Sequence, residues 1–234
     1  MPNSGAVTTI AGLNAYIARP ASATTAGVLL IPAATGLAPW LRRCADDLAN
    51  AGLTTIAWDQ FHGRDVTGLG WPELAPLLSA IDDTRATTEL QSLIDALMSE
   101  YSLTRIGVAG WCFGGRLAVI LAARDRRVAA CSTYHPSIRA TRGPHQTEDA
   151  IARASEIESP VEWVHPGNDQ VLSGELVPMM RDALMNREKG STHIHAYPGA
   201  DHGFMERLNS DANRTAAALA WPQTIAFFKA ALLS

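Results

Sequence analysis

Six short apolar runs alternate with five longer segments of helical pattern, and this alternation constrains the fold more than any other feature of the chain. The runs are Gly27–Pro32, Leu53–Trp58, Arg105–Gly110, Val128–Tyr134, Val161–His165 and His193–Tyr197. Most show no polar alternation, as expected of strands covered on both faces. The helical segments are Trp40–Asn50, Arg85–Ser99, Gly115–Ala123, Glu175–Arg187 and Arg214–Ala231. Strand and helix in turn predict a mostly parallel sheet with helices on both faces, an α/β architecture. Leu13–Ala18 adds an antiparallel edge strand. Residues 63–83, rich in glycine and proline, predict an irregular excursion over one end of the sheet. The 234 residues suit one domain over 1–234, with ample length for a single core.

Composition removes several classes of function. A net charge of −4, with acids and bases interspersed, offers no basic footprint for nucleic acid. No apolar run reaches the ~18 residues of a membrane span. The N-terminal stretch Met1–Gly12 lacks a basic region followed by an apolar one, so no secretory signal is expected. The three cysteines, Cys44, Cys112 and Cys131, are odd in number and widely spaced. That argues against a disulfide framework or a zinc site, and the simplest home is a reducing cytoplasm.

One cysteine stands apart. Gly110-Trp111-Cys112-Phe113-Gly114 has the spacing of the nucleophile elbow, with cysteine where serine is common. The glycines remove side chains where strand and helix would collide. A helix beginning near Phe113 points unpaired N–H groups and its positive dipole end at the sulfur, which favours thiolate. The Phe113 N–H is then one oxyanion donor. The plain alternative is a buried cysteine beside a tight turn. Cys44 and Cys131 receive that reading outright.

A thiol nucleophile gains from a histidine, and the histidine from an orienting carboxylate. Chain order on such folds is nucleophile, acid, histidine. "HPGNDQV" carries Asp169 and "YPGADHGF" carries His202, each just after a predicted strand, where open α/β sheets gather their sites. Asp201 is a rival acid, but it adjoins His202 and its side chain starts off in another direction. His62, His135 and His145 read as loop residues and His165 as a strand end. His193 and His195 share one strand face but lack a third ligand, so neither a metal nor another cofactor is expected.

These motifs resemble those of the dienelactone hydrolase family, α/β-hydrolases with a cysteine nucleophile. The resemblance runs from about Leu13 to Ala231 and rests on "GWCFGG", the aspartate of "PGNDQV" and "YPGADHGF". It implies an α/β-hydrolase fold and a Cys112–His202–Asp169 triad that opens small esters or lactones through a thioester. A second oxyanion donor is expected in the loop after Gly27–Pro32, at Ala34. Where the family's best-studied pattern carries a glutamate tied to thiol protonation, this chain has Ala33. The family also holds a substrate carboxylate with arginines, for which Arg85 and Arg207 lie near the expected places. An anionic substrate is therefore one possibility. Trp111 and Phe113 flank the nucleophile as candidate pocket walls, and Trp40 and Trp71 are candidates for its rim. The competing readings are a thioesterase or acyl-transfer enzyme on the same triad, a binding protein with a degenerate site, and a peroxide-reactive thiol. The sequence leaves the oligomeric state open.

Overall fold

The computed structural model describes residues 5–234. Residues 1–4, part of the stretch read for a secretory signal, lie outside the described residues. The strands are β1 (Ala6–Ile10), β2 (Leu13–Ala18), β3 (Ala26–Ile31), β4 (Thr54–Trp58), β5 (Arg105–Trp111), β6 (Val128–Tyr134), β7 (Val161–Asn168) and β8 (Thr192–Asp201). The helices are α1 (Pro39–Asn50), α2 (Trp71–Ser79), α3 (Asp83–Ser99), α4 (Phe113–Arg124), α5 (Ala150–Ala154), α6 (Leu176–Met185) and α7 (Asp211–Leu232).

All eight strands form one sheet in the order β1-β2-β4-β3-β5-β6-β7-β8. The β1/β2 and β2/β4 pairs are antiparallel and the remaining pairs parallel. The expected antiparallel strand is present, but it is not the edge: β1 lies outside it. Four of the five β1 residues are exposed, so the strand carries no core pattern to read. A second departure is α2, formed within the stretch expected to be irregular. Pro72 sits in its first turn, where a missing N–H costs nothing, and Glu73 accepts from the Gly70 N–H at 3.0 Å.

Two cores flank the sheet. On one face lie Leu29 and Ile31 of β3 with buried residues of α3, α4, α5 and α6. On the other lie Val28 and Leu30 with α1 and α7. Successive β3 side chains thus go to opposite cores, and every one is buried, which is why the strand reads as continuously apolar. Each fully buried Leu or Ile contributes about 1.5–3 kcal/mol of transfer free energy. The chain runs from β3 out to β4, then crosses back to β5 on β3's other side. The carboxyl ends of β3 and β5 therefore bound a topological switch point, the place where such sheets hold ligands. Among the described residues, no helix is long and apolar enough to cross a membrane.

Candidate active site

Cys112 stands alone between the end of β5 and the start of α4, with φ 53° and ψ −111°. That positive φ is unfavourable for any residue with a Cβ. Bonds on both sides hold it: the Cys112 N–H donates to the Tyr134 carbonyl at 3.1 Å, and its own carbonyl accepts from Arg116 and Ser137. The neighbouring glycines are required by contact. A Cβ on Gly110 would lie 2.1 Å from the Gly114 carbonyl oxygen, and one on Gly114 would lie 2.1 Å from that of Ile31. β5, α4 and the β3 end can approach this closely only without side chains.

Asp169 and His202 come from carboxyl ends farther along the sheet, beyond β6. Asp169 follows β7, and His202 follows β8. The Asp169 Oδ1 accepts from the Val171 N–H at 2.7 Å and the Leu172 N–H at 3.2 Å, which fixes the carboxylate. His202 Nδ1 lies 3.0 Å from Oδ1 and 3.1 Å from Oδ2. With Nδ1 engaged, Nε2 is left buried and without an aligned partner in the resting site. Cys112 is nonetheless close enough to act on the ring. Burial alone would lower the imidazole pKa, but the hydrogen bond to Asp169 and the proximity of the Cys112 sulfur outweigh it, raising the value to about 9. A carboxylate, an imidazole and a sulfur thus stand in series, an arrangement able to pass a proton between ring and sulfur. The rival Asp201 is tied elsewhere: it accepts from Asn168 Nδ2 at 2.6 Å and from Asn213 Nδ2 at 3.3 Å.

A cavity of about 800 Å³ opens over this series, lined by Cys112 and His202. Phe113 and Ala34 also line it. As the first residue of α4, Phe113 has no intrahelical acceptor for its N–H. Ala33 is buried at the cavity wall, and its carbonyl accepts from Gln60 Nε2 at 2.9 Å. Trp40 and Trp71 reach the cavity, as does Arg207.

Two expected substrate contacts require correction. Trp111 is fully buried and does not line the cavity. Its ring packs between Trp40, Tyr134 and Trp221 in the α1/α7 core, because it ends β5 pointing away from the mouth. Arg85 is also absent from the lining. It sits in the first turn of α3, bonded to Glu89 Oε1 at 2.8 Å and to His62 Nε2 at 3.0 Å.

The structure adds residues that local pattern did not reveal. His135, read as a loop residue, directly follows β6, and its ring meets that of His202 edge-on at 4.6 Å between centroids. Burial and the adjacent His202 hold its pKa well below the ordinary histidine value, so it is neutral. Its position just past a strand end was the available signal. Arg139, on the loop that follows, also lines the cavity. Cys44 and Cys131 are buried free thiols, and burial pushes both toward the protonated form. Among the described residues, no cluster of three His, Cys, Asp or Glu side chains is arranged to hold a metal.

Comparison with known proteins agrees with this architecture. The model of the dienelactone hydrolase family matches residues 13–232. A carboxymethylenebutenolidase homolog of Xenopus tropicalis is 25% identical over 86% of this chain and 79% of its own length. A probable 2-oxo-3-(5-oxofuran-2-ylidene)propanoate lactonase of Bradyrhizobium is 22% identical over 92% of this chain and 88% of its own. A solved structure from Klebsiella pneumoniae, classed with the dienelactone hydrolases, superposes with a TM-score of 0.85 over 96% of this chain and 97% of its own at 23% identity, a likeness of fold. The chain therefore belongs to the dienelactone hydrolase family: it is an ester- or lactone-hydrolysing enzyme on the α/β-hydrolase fold.

Proposed function

We propose that this single-domain protein cleaves carboxylic esters or lactones through a Cys112–His202–Asp169 triad and a thioester intermediate. The observation that carries the reading is the Asp169–His202 contact at 3.0 Å beside a cysteine on a glycine-flanked elbow. The Cys112 thiolate attacks the carbonyl carbon, forming a C–S bond. The oxyanion is received by the N–H groups of Phe113 and Ala34, each such donor being worth roughly 3 kcal/mol of barrier. The C–O bond to the alcohol breaks, and the His202 imidazolium gives the leaving alkoxide its proton. In a lactone the alcohol stays tethered to the acyl group. Water then loses a proton to His202 and attacks the thioester, releasing the acid and restoring the thiolate. Asp169 holds the ring in the tautomer this sequence needs.

With Ala33 at the cavity wall, no carboxylate at that position can take the thiol proton. Thiolate formation then falls to His202 and to the N-terminus of α4. Arg139 and Arg207 at the cavity supply positive charge for a substrate bearing a carboxylate. The free cysteines fit a reducing compartment, and we place the enzyme in the cytoplasm.

The test is turnover of p-nitrophenyl acetate and simple lactones, with mass spectrometry of the quenched enzyme. The expected result is an acyl adduct on Cys112 that accumulates in His202→Ala and is absent from Cys112→Ala. Hydrolysis that persists in both variants, or an adduct elsewhere, overturns the triad. No hydrolysis of any ester or lactone supports a binding protein with a degenerate site.

A further inference from the structure

The cavity is far from uniform, and its asymmetry bears on the substrate. One wall is α2, which contributes Trp71, Leu74, Ala75 and Leu78. Leu78 belongs to the same core as Phe113, the residue that follows the nucleophile. The segments around Asp169 and His202 carry polar groups, Asn168, Gln170, Glu206 and Arg207, alongside Val171 and Met205. About 800 Å³ lies in the upper part of the range that holds drug-sized ligands, far more than a small lactone ring fills. Trp71 is 61% exposed although it lines the cavity, so much of its aromatic surface is open to a ligand.

The chemistry orients the substrate within this space. In the tetrahedral intermediate the carbonyl carbon bears four groups: the sulfur, the oxyanion, the leaving oxygen and the acyl chain. The leaving oxygen must face His202, which protonates it. The oxyanion faces the N–H groups of Phe113 and Ala34. The acyl chain takes the remaining direction, away from His202, and α2 supplies apolar lining to receive it.

Resting on the hydrolase reading above, we propose that α2 forms an acyl-binding wall and that the substrates are esters of apolar acids larger than acetate, with medium-chain or aryl acyl groups. The alcohol portion is the polar part, facing Gln170 and Arg207. α2 thus sets specificity without touching the reacting atoms.

The experiment holds the leaving group constant and varies the acyl group. Hydrolysis of p-nitrophenyl acetate, butyrate and hexanoate is measured with the whole protein. The expected kcat/KM rises about fourfold for each methylene that reaches the wall, as burial of a methylene predicts. Ala75 is only half-buried on α2, so Ala75→Phe narrows the wall without disturbing a core. It is expected to lower kcat/KM for hexanoate about tenfold more than for acetate, and acetate turnover reports that the variant is folded. Trp71→Ala, at an exposed position, is expected to flatten the series. A wild-type series that is flat or falls beyond acetate overturns the proposal, as does an Ala75→Phe variant that slows acetate and hexanoate equally. A complete lack of ester hydrolysis instead removes the hydrolase reading, and the acyl wall falls with it.

Discussion

The Arg116 guanidinium and the Asp83 carboxylate meet through two parallel bonds of 2.6 and 2.7 Å, with each side chain only 3% exposed. Arg116 lies one turn along α4 from Cys112 and donates its backbone N–H to the Cys112 carbonyl. Asp83 opens α3, just beyond the α2 wall. Both partners also reach the loop beside the cavity: Asp83 accepts from the Glu148 N–H at 2.8 Å, and Arg116 donates to the Glu148 carbonyl at 2.9 Å. One buried ion pair therefore ties the elbow helix to the start of α3 and to the loop at Glu148.

Removing one partner leaves the other charge buried and unpaired. Asp83→Ala is expected to lower stability by about 3–5 kcal/mol in urea unfolding. Burial alone would raise the Asp83 pKa, but the bonds and charge of Arg116 outweigh it and hold it below the ordinary value. A depressed carboxylate contributes stability that is full above the unfolded pKa of about 3.9 and is lost as pH falls through the folded one. Acid unfolding of the wild type below about pH 4 should therefore include this pair. In Arg116→Met the carboxylate loses its partner, so instability should extend to higher pH. Equal acid midpoints in Arg116→Met and wild type would refute the assignment.

The His202 imidazole, raised to about 9, dictates an alkaline limb to the activity. Its imidazolium supplies the leaving-group proton, so kcat/KM on p-nitrophenyl butyrate should fall as pH rises through about 9. For stability the sign is the same. A histidine with a raised folded pKa contributes fully below its unfolded value of about 6.5, and that contribution is lost as pH climbs through the folded one. Asp169→Asn removes a bond that raises this pKa, so the limb should move to lower pH. It should also cost about 10³–10⁴-fold in kcat through loss of the correct tautomer. A limb unmoved in Asp169→Asn would show that the carboxylate does not govern the ring.

Two arginines equally visible in the sequence have different positions in the fold, and activity should separate them. Arg207 lines the cavity, while Arg85 of α3 is bonded to Glu89 and to His62 of the loop after β4. Arg207→Gln is expected to raise KM about tenfold for an ester carrying a carboxylate on its alcohol portion, corresponding to one exposed charge-assisted contact of about 1.4 kcal/mol. A neutral ester should be unaffected. Arg85→Gln should change neither. Equal effects of Arg207→Gln on the two esters would remove the anionic-substrate reading.

What could be read in advance follows the range of the interactions involved. The parallel strands are legible because burial on both faces makes each a continuous apolar run, and β6 matches its expected bounds at Val128–Tyr134. β1 and the five-residue α5 were not legible: one is exposed and the other too short to show a period. α2 was hidden by Gly70, Pro72 and Pro76, although Pro72 suits a first helical turn. Asp169 and His202 could be found because each follows its strand in an ordered series. His135 offered only its place just past a strand end, and its contact with His202 depends on β6 pairing with β7 and β7 with β8, a long-range event. Trp111 and Phe113 are equivalent in sequence, and only the turn at Cys112 sends one to the core and the other to the cavity.

That turn also stores strain. At φ 53° and ψ −111° Cys112 occupies a region that costs a residue with a Cβ about 1–3 kcal/mol. The Tyr134, Arg116 and Ser137 backbone bonds hold it there. Glycine adopts this conformation freely, at the expense of about 0.5–1 kcal/mol of extra unfolded-state entropy. Cys112→Gly should therefore be about 1 kcal/mol more stable than wild type in urea unfolding, while losing all esterase activity. Cys112→Ala keeps the Cβ and with it the strain, so it should lose activity with no such gain. Comparing the two separates strain from the loss of sulfur. If Cys112→Gly is no more stable than Cys112→Ala, the elbow is unstrained. The activated nucleophile would then owe its exposure to the glycines at 110 and 114 alone.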